Sequence, residues 1–264
     1  SHPMRAGGEA GIIGGHPDET AKTAAKYENF IGIPHHTNAV AETRKIEDDS
    51  PFWHPYPWTE PVHYIRLAEI MQGRGNQERN EYDDMWRGFY QNNGSSIQDA
   101  LALGYRIGFT GGTDNHCGWP GRAFIPHEGA GVHGPKSVIL TGVWTDTVDR
   151  QEVFDALYAR HTWAVWDTRA VVRFSVNGAL MGSELSVDEG SDLTAAVAIS
   201  AEDGYRSVEI VSDRETVWSG TFADSDIDIE VPLGTASKSA YYSLRAMLYN
   251  GGIIYGSPVF IDIA

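Results

Sequence analysis

One cysteine in 264 residues, Cys117, excludes an internal disulfide, so stability has to come from packing. No apolar run approaches the ~20 residues that a membrane-spanning helix needs, which argues against insertion in a bilayer. Cations are scarce: 20 Lys+Arg stand against 36 Asp+Glu, a formal net charge of −16. So acidic a chain repels phosphate backbones, which excludes nucleic-acid binding as the main role. The last hundred-odd residues contain no histidine, and no His-x-His occurs anywhere. No secretory leader opens the sequence, and both the cytoplasm and a processed secreted form fit this composition.

What is present divides the chain in two. The ten histidines all lie between His2 and His161, which places the chemistry in the first part. Ser1-His2-Pro3-Met4 reads as a tag remnant ahead of a start methionine, so His2 is set aside. Asp18–Tyr27 has helical character, and Glu28–Pro34 reads as a short buried strand that ends in the turn Pro34-His35-His36-Thr37-Asn38. Ile65–Met71 is a second apolar run and enters a glycine-punctuated loop around Gly73 and Gly75. A helix is predicted over Ser95–Leu103, with a capping box at Ser95 and Gln98 and a stop at Gly104. Tyr105–Thr110 and Ser137–Trp144 read as strands, and Asp149–Arg160 as a helix capped by Asp149. Alternating strands and helices predict α/β organisation over residues 1–168. Beyond Thr168 the pattern becomes short alternating segments separated by Gly, Asp and Ser, which predicts a small antiparallel β-sandwich over 169–264.

Two polar clusters follow apolar strands, where α/β proteins place their sites. One is Ile33-Pro34-His35-His36-Thr37-Asn38 and the other Thr113-Asp114-Asn115-His116-Cys117-Gly118. Asp-x-His in an extended segment puts a carboxylate and an imidazole on one side, which suits a divalent cation. The competing reading makes Asp114 a turn cap and His116 a loop histidine. Glu69 lies within an apolar strand, where an unpaired carboxylate is costly, so it should meet a metal-site group or an arginine. Glu78 flanks the glycine loop and can orient a substrate or stay solvated. Arg122, in Gly-Trp-Pro-Gly-Arg, is a fixed cation close behind His116 and suits a phosphate, sulfate or carboxylate. His36 can bind substrate, donate to a neighbouring ligand or face solvent.

Four segments in this order resemble the later half of the PHP (polymerase and histidinol phosphatase) metallohydrolase domain, in a branch with a C-terminal β domain. They are Ile33–Asn38, Ala68–Glu78, Gly108–Gly118 and Ala156–Glu184. The resemblance implies a partial, distorted β/α barrel followed by the β-sandwich. It makes His35, Asp114 and His116 metal ligands, with His36, Glu69, Glu78 and Arg122 as substrate or supporting groups. It implies two or three divalent ions, zinc, manganese or iron, and a metal-bound hydroxide attacking a small, anionic, phosphoester-like substrate. The family's opening His-x-His motif is missing, so the remaining ligands would have to come from a preceding segment or a second chain. The alternatives are a non-catalytic carbohydrate- or partner-binding module on a degenerate barrel, and an amidohydrolase-like enzyme.

Overall fold

The computed structural model describes residues 30–38, 56, 58–73, 75–80, 94–114 and 138–264. Its first part holds β1 (Leu67–Gln72), β2 (Gly75–Asn76), α1 (Ile97–Ala102), β3 (Gly108–Gly112), β4 (Ile139–Val143), α2 (Arg150–Tyr158) and β5 (Thr162–Trp166). Nine strands follow: β6 (Val171–Val176), β7 (Ala179–Leu180), β8 (Glu184–Val187), β9 (Asp192–Ser200), β10 (Tyr205–Ser212), β11 (Glu215–Phe222), β12 (Asp226–Thr235), β13 (Ala240–Leu248) and β14 (Ile253–Ile263). They form three sheets: β2-β1-β3, the seven-stranded β11-β10-β13-β14-β5-β4 with β8 added beside β14, and the four-stranded β12-β9-β6-β7.

Alternation along the central strands explains the layering. Successive side chains of a strand point to opposite faces. In β5, Trp163 and Val165 enter a core shared with Val172, Phe174, Val197 and Ile210, where the seven-stranded sheet packs on the four-stranded one. Ala164 and Trp166 point the other way, into a core with Ile70, Met71, Ile97 and Phe109 from β1, α1 and β3. β14 behaves alike: Ile254 and Val259 join the first core, and Ile253, Tyr255 and Phe260 the second. The central strands β5 and β14 of the seven-stranded sheet are therefore buried on both faces. This is why β14 reads as a near-continuous apolar run.

Local chemistry sets the turns and caps. Asn177 and Gly178 take φ of 47° and 80° between β6 and β7, the two left-handed positions of a type I′ hairpin. The predicted capping box exists one residue later than its expected place: Ser96 accepts from Asp99 N, and the Asp99 side chain returns to the Ser96 backbone. Burial pushes the Asp99 carboxyl up, and hydrogen bonds from Ser96 and Asn80 outweigh it and hold the group below its ordinary value. Asp149 caps α2 as expected, accepting from Gln151 N and Glu152 N.

The expected partial β/α barrel is not what forms. Among the described residues of the expected barrel region, parallel pairing is confined to β1 with β3 and a bridge between Gly32 and Ile65; the other parallel pair, β8 with β14, lies in the C-terminal part. β4 then turns to pair antiparallel with β5, which pairs antiparallel with β14, so the strands enter a sheet with the C-terminal segments. Among the described residues there is no closed barrel, and the architecture is predominantly β and sandwich-like. The physical reason is visible in α2. A barrel helix buries one face against the sheet, whereas α2 buries only Ala156 and begins and ends near one end of the β4–β5 pair. The seven-stranded sheet takes strands from both sides of the expected division at residue 168. The helix expected over Asp18–Tyr27 lies outside the described residues.

Gly142 shows how tightly β4 meets β5. It pairs with Trp163, and a Cβ there would lie 2.0 Å from the indole Cε2. The indole cannot swing away freely, because its Nε1 donates to Ala170 O at 2.9 Å. Gly142→Ala should therefore destabilise by about 3 kcal/mol, the upper end of overpacking effects. Urea unfolding should show a lower midpoint at unchanged slope.

Candidate metal centre

The segment before His35 runs beside β1: Gly32 N donates to Tyr64 O at 2.8 Å, and Glu69 N donates to Pro34 O at 3.0 Å. This carries His35 and His36 to the edge where β1 and β3 run side by side. β3 delivers Asp114 two residues beyond its end. One ligand atom each from His35, His36 and Asp114 lies within 4.8 Å of the others, which is compatible with a shared cation.

Each of these residues is held by a specific contact. Glu69 Oε2 lies 2.5 Å from His35 Nδ1. A carboxylate at Nδ1 fixes the tautomer and leaves Nε2 with its lone pair for a ligand. Glu69, a carboxylate in an apolar strand, is thus paired with an imidazole. Gly112 makes room for it, since a Cβ there would lie 2.7 Å from Glu69 Oε1. His36 Nε2 is 3.4 Å from Asp114 Oδ2, and the buried Gln72 places its Nε2 3.2 Å from His36 Nδ1. The two imidazoles meet edge to face, with ring centroids 3.7 Å apart.

His36 and Asp114 share an unusual backbone. Their φ values are 55° and 51°, in the left-handed region that L-residues enter at a cost of roughly 1–2 kcal/mol. Strain of this kind collects at functional sites, where the side chain is worth more than the comfort of the backbone. It also explains how consecutive residues reach one point. In an extended strand His35 and His36 would face opposite ways, and the left-handed turn at His36 brings its ring back.

Beneath the histidines is a polar floor. Thr37, Asn38 and Gln77 are fully buried. Asn38 N donates to Gln77 Oε1 and Asn38 Nδ2 to Arg79 O, both at 2.9 Å. Thr37 Oγ1 and Gln77 Nε2 have no hydrogen-bond partner among the described residues.

Other expected residues fall elsewhere. Glu78 is buried and engaged by Arg245 Nη1 at 2.8 Å to both its oxygens and by Tyr255 OH at 2.9 Å. It anchors the β2 edge to β13 and β14. His116 and Arg122 lie outside the described residues, as does Cys117. His63 is exposed, with its ring edge on Tyr64. Burial, then the charge of Arg160, pushes the pKa of His161 down. Sequence reasoning gave no role to Gln72, because only its place opposite Gly112 in the β1–β3 register brings it under His36.

No family model matches the chain. It is 26% identical over 221 residues to an uncharacterized protein of Chlamydia muridarum, covering 76% of this chain and 35% of that protein. An uncharacterized protein of Chlamydia trachomatis is 26% identical over 224 residues, with the same coverage. One of Chlamydia pneumoniae is 26% identical over 140 residues, covering 47% of this chain and 23% of that protein. Among solved structures, the fibronectin(III)-like modules of Clostridium thermocellum CbhA align with 34% of this chain and 97% of their own, at 15% identity and a TM-score of 0.26. The chain spans about a third or less of the length of the chlamydial proteins it matches.

Proposed function

We infer that the chain is a metal-dependent hydrolase in which His35, His36 and Asp114 hold a divalent cation. The observation that carries this reading is the convergence of two imidazoles and a carboxylate within 4.8 Å from two separate chain segments. The donor set fits zinc, manganese or iron, which accept imidazole together with carboxylate. Three protein ligands leave a position for water or substrate. When bound, the cation supplies Lewis-acid activation of water and neutralises charge that develops on the substrate.

The chain's own groups have definable tasks. Glu69 takes the hydrogen bond from His35 Nδ1, which keeps the ring oriented. Gln72 orients His36 through its side-chain amide. Gln77 Nε2, a buried donor with no partner, is suited to an acceptor oxygen near the polar floor. Together these groups favour a small anionic ester, phosphate mono- or diesters first, in a chain whose overall charge would repel it.

The test is a metal analysis of protein purified without chelator, followed by hydrolysis assays on phosphate mono- and diesters with added zinc or manganese. The expected result is stoichiometric metal and an activity that chelation removes, metal restores and Asp114→Ala lacks. Absence of metal after reconstitution sinks the assignment, and activity that survives Asp114→Ala places the chemistry elsewhere.

A further inference from the structure

A second cluster of charge gathers at the opposite, amino-terminal ends of the same strands. Arg66 immediately precedes β1, Arg106 stands two residues before β3, and Arg160 two residues before β5. They meet at one edge. Leu67 pairs with Gly108, Gly108 N donates to Arg66 O at 2.9 Å, and a Cβ on Gly108 would lie 2.7 Å from Arg160 Cβ. The Phe260 ring is shared by the Arg106 and Arg160 guanidinium groups, at 5.7 and 5.5 Å. Arg66 lies over the Tyr158 ring at 4.6 Å and donates through Nε to Tyr158 O.

The partners do not match the charge. Arg106 is bidentate to Asp262 and also reaches Glu184. Arg160 donates from Nε to Gly182 O and from Nη2 to Glu184 Oε1. Its side chain is only 4% exposed, and its Nη1 is buried without a hydrogen-bond partner among the described residues. Arg66 has no carboxylate partner among the described residues. Two carboxylates thus serve three guanidinium groups, leaving a local excess of one positive charge in a chain of −16. Burial, with help from the neighbouring Arg66 and Arg106, pushes the pKa of Arg160 down to about 10. The carbonyls at the end of α2 account for the Nε of Arg66. They do not account for the orphan Nη1 of Arg160, a buried donor on a charged group that carries its full desolvation cost unpaired.

We propose that Arg66, Arg106 and Arg160 form a binding site for a phosphoryl group at the edge of the sheet opposite His35, His36 and Asp114. Guanidinium forks match the oxygen spacing of a tetrahedral oxyanion, and several of them around one group give both charge and direction. The site is separate from the candidate metal centre. Arg106 and Asp114 stand two residues beyond opposite ends of β3 (Gly108–Gly112), whose extended backbone alone spans about 13 Å at ~3.3 Å per residue. A group bound here is therefore a second ligand, not the ester turned over at the other edge.

The test uses the full chain freed of metal by chelation, so that its outcome does not depend on the metal assignment. Inorganic phosphate is titrated calorimetrically at ionic strength held constant with potassium chloride, and acetate is titrated in parallel. Phosphate should bind at one equivalent, and Arg66→Gln should weaken it at least about tenfold, since one charged hydrogen bond is worth a factor of that size. Arg66 is partly exposed, so this variant should fold. Glu184→Gln should tighten binding severalfold, because it removes the carboxylate that competes for Arg106 and Arg160. The proposal is overturned by phosphate binding no different from the chloride control, by an unchanged Arg66→Gln, or by a Glu184→Gln that binds no tighter. Acetate binding as strong as phosphate would overturn the tetrahedral assignment.

Discussion

Arg245→Leu should destabilise the protein by about 3–5 kcal/mol, the range seen when one partner of a buried ion pair is removed. Arg245 is 7% exposed and sits between two carboxylates. Its Nη1 donates to both oxygens of Glu78 at 2.8 Å, and its Nε donates to Glu209 Oε2 at 2.8 Å. Tyr255, fully buried, donates to Glu78 and accepts from Asn76 Nδ2 at 2.6 Å. Burial pushes the Arg245 pKa down, but the nearby Glu78 and Glu209 outweigh it and hold the group above its ordinary value. Burial and the charge of Glu78 push the Tyr255 hydroxyl well up, so it stays a neutral donor. Leucine would fill part of the space and leave the buried Glu78 and the partly buried Glu209 without their shared guanidinium, with only the longer 3.6 Å contact from Arg79 Nε remaining to Glu78. The melting temperature should fall by about 6–20 °C, at roughly 2–4 °C per kcal/mol for a chain of this size. Adding Glu78→Gln to Arg245→Leu should recover part of the loss, because the uncompensated charge causes most of it. A fall of less than 1 °C would show that this network does not hold the two sheets together.

That network also marks where reading the sequence stops. Glu78 beside Gly73 and Gly75 looks like a loop charge, and its partner Arg245 is 167 positions away, with no local pattern to connect them. Pairing direction is equally non-local. Ser137–Trp144 and the helix after it suggest another β/α unit, yet β4 turns antiparallel to β5 because α2 lacks a face wide enough to cover a sheet. What depends on neighbours in sequence was legible: the alternation of Val171–Val176, the cap at Asp149, the strand end that carries Asp114; the buried strand expected over Glu28–Pro34 is, among the described residues, only a bridge at Gly32. That Glu69 would be paired followed from the cost of a lone carboxylate among apolar residues. The part played by His36 was not legible, because it depends on a left-handed φ that a histidine gives no sign of adopting.

The same φ values separate a binding role from a structural one. Asp114→Gly and His36→Gly should each weaken zinc or manganese binding at least about a hundredfold, since loss of a partner that merely orients a ligand costs 10–100-fold. In the metal-free state both variants should be as stable as the parent or more so. Glycine removes a left-handed penalty of roughly 1–2 kcal/mol, while its extra freedom in the unfolded chain takes back about 0.5–1 kcal/mol. Alanine at the same positions keeps the penalty and loses the ligand, so Asp114→Ala should bind as poorly as Asp114→Gly and melt lower. Calorimetric titration with metal and thermal unfolding in chelator give the two readouts independently. If His36 and Asp114 serve the fold instead, glycine lowers the melting temperature of the metal-free protein, because the 3.4 Å contact between them and the support of Gln72 are lost with nothing gained. A ligand pair held in strained backbone predicts the opposite sign, since removing the side chain relieves the backbone and abolishes the affinity together.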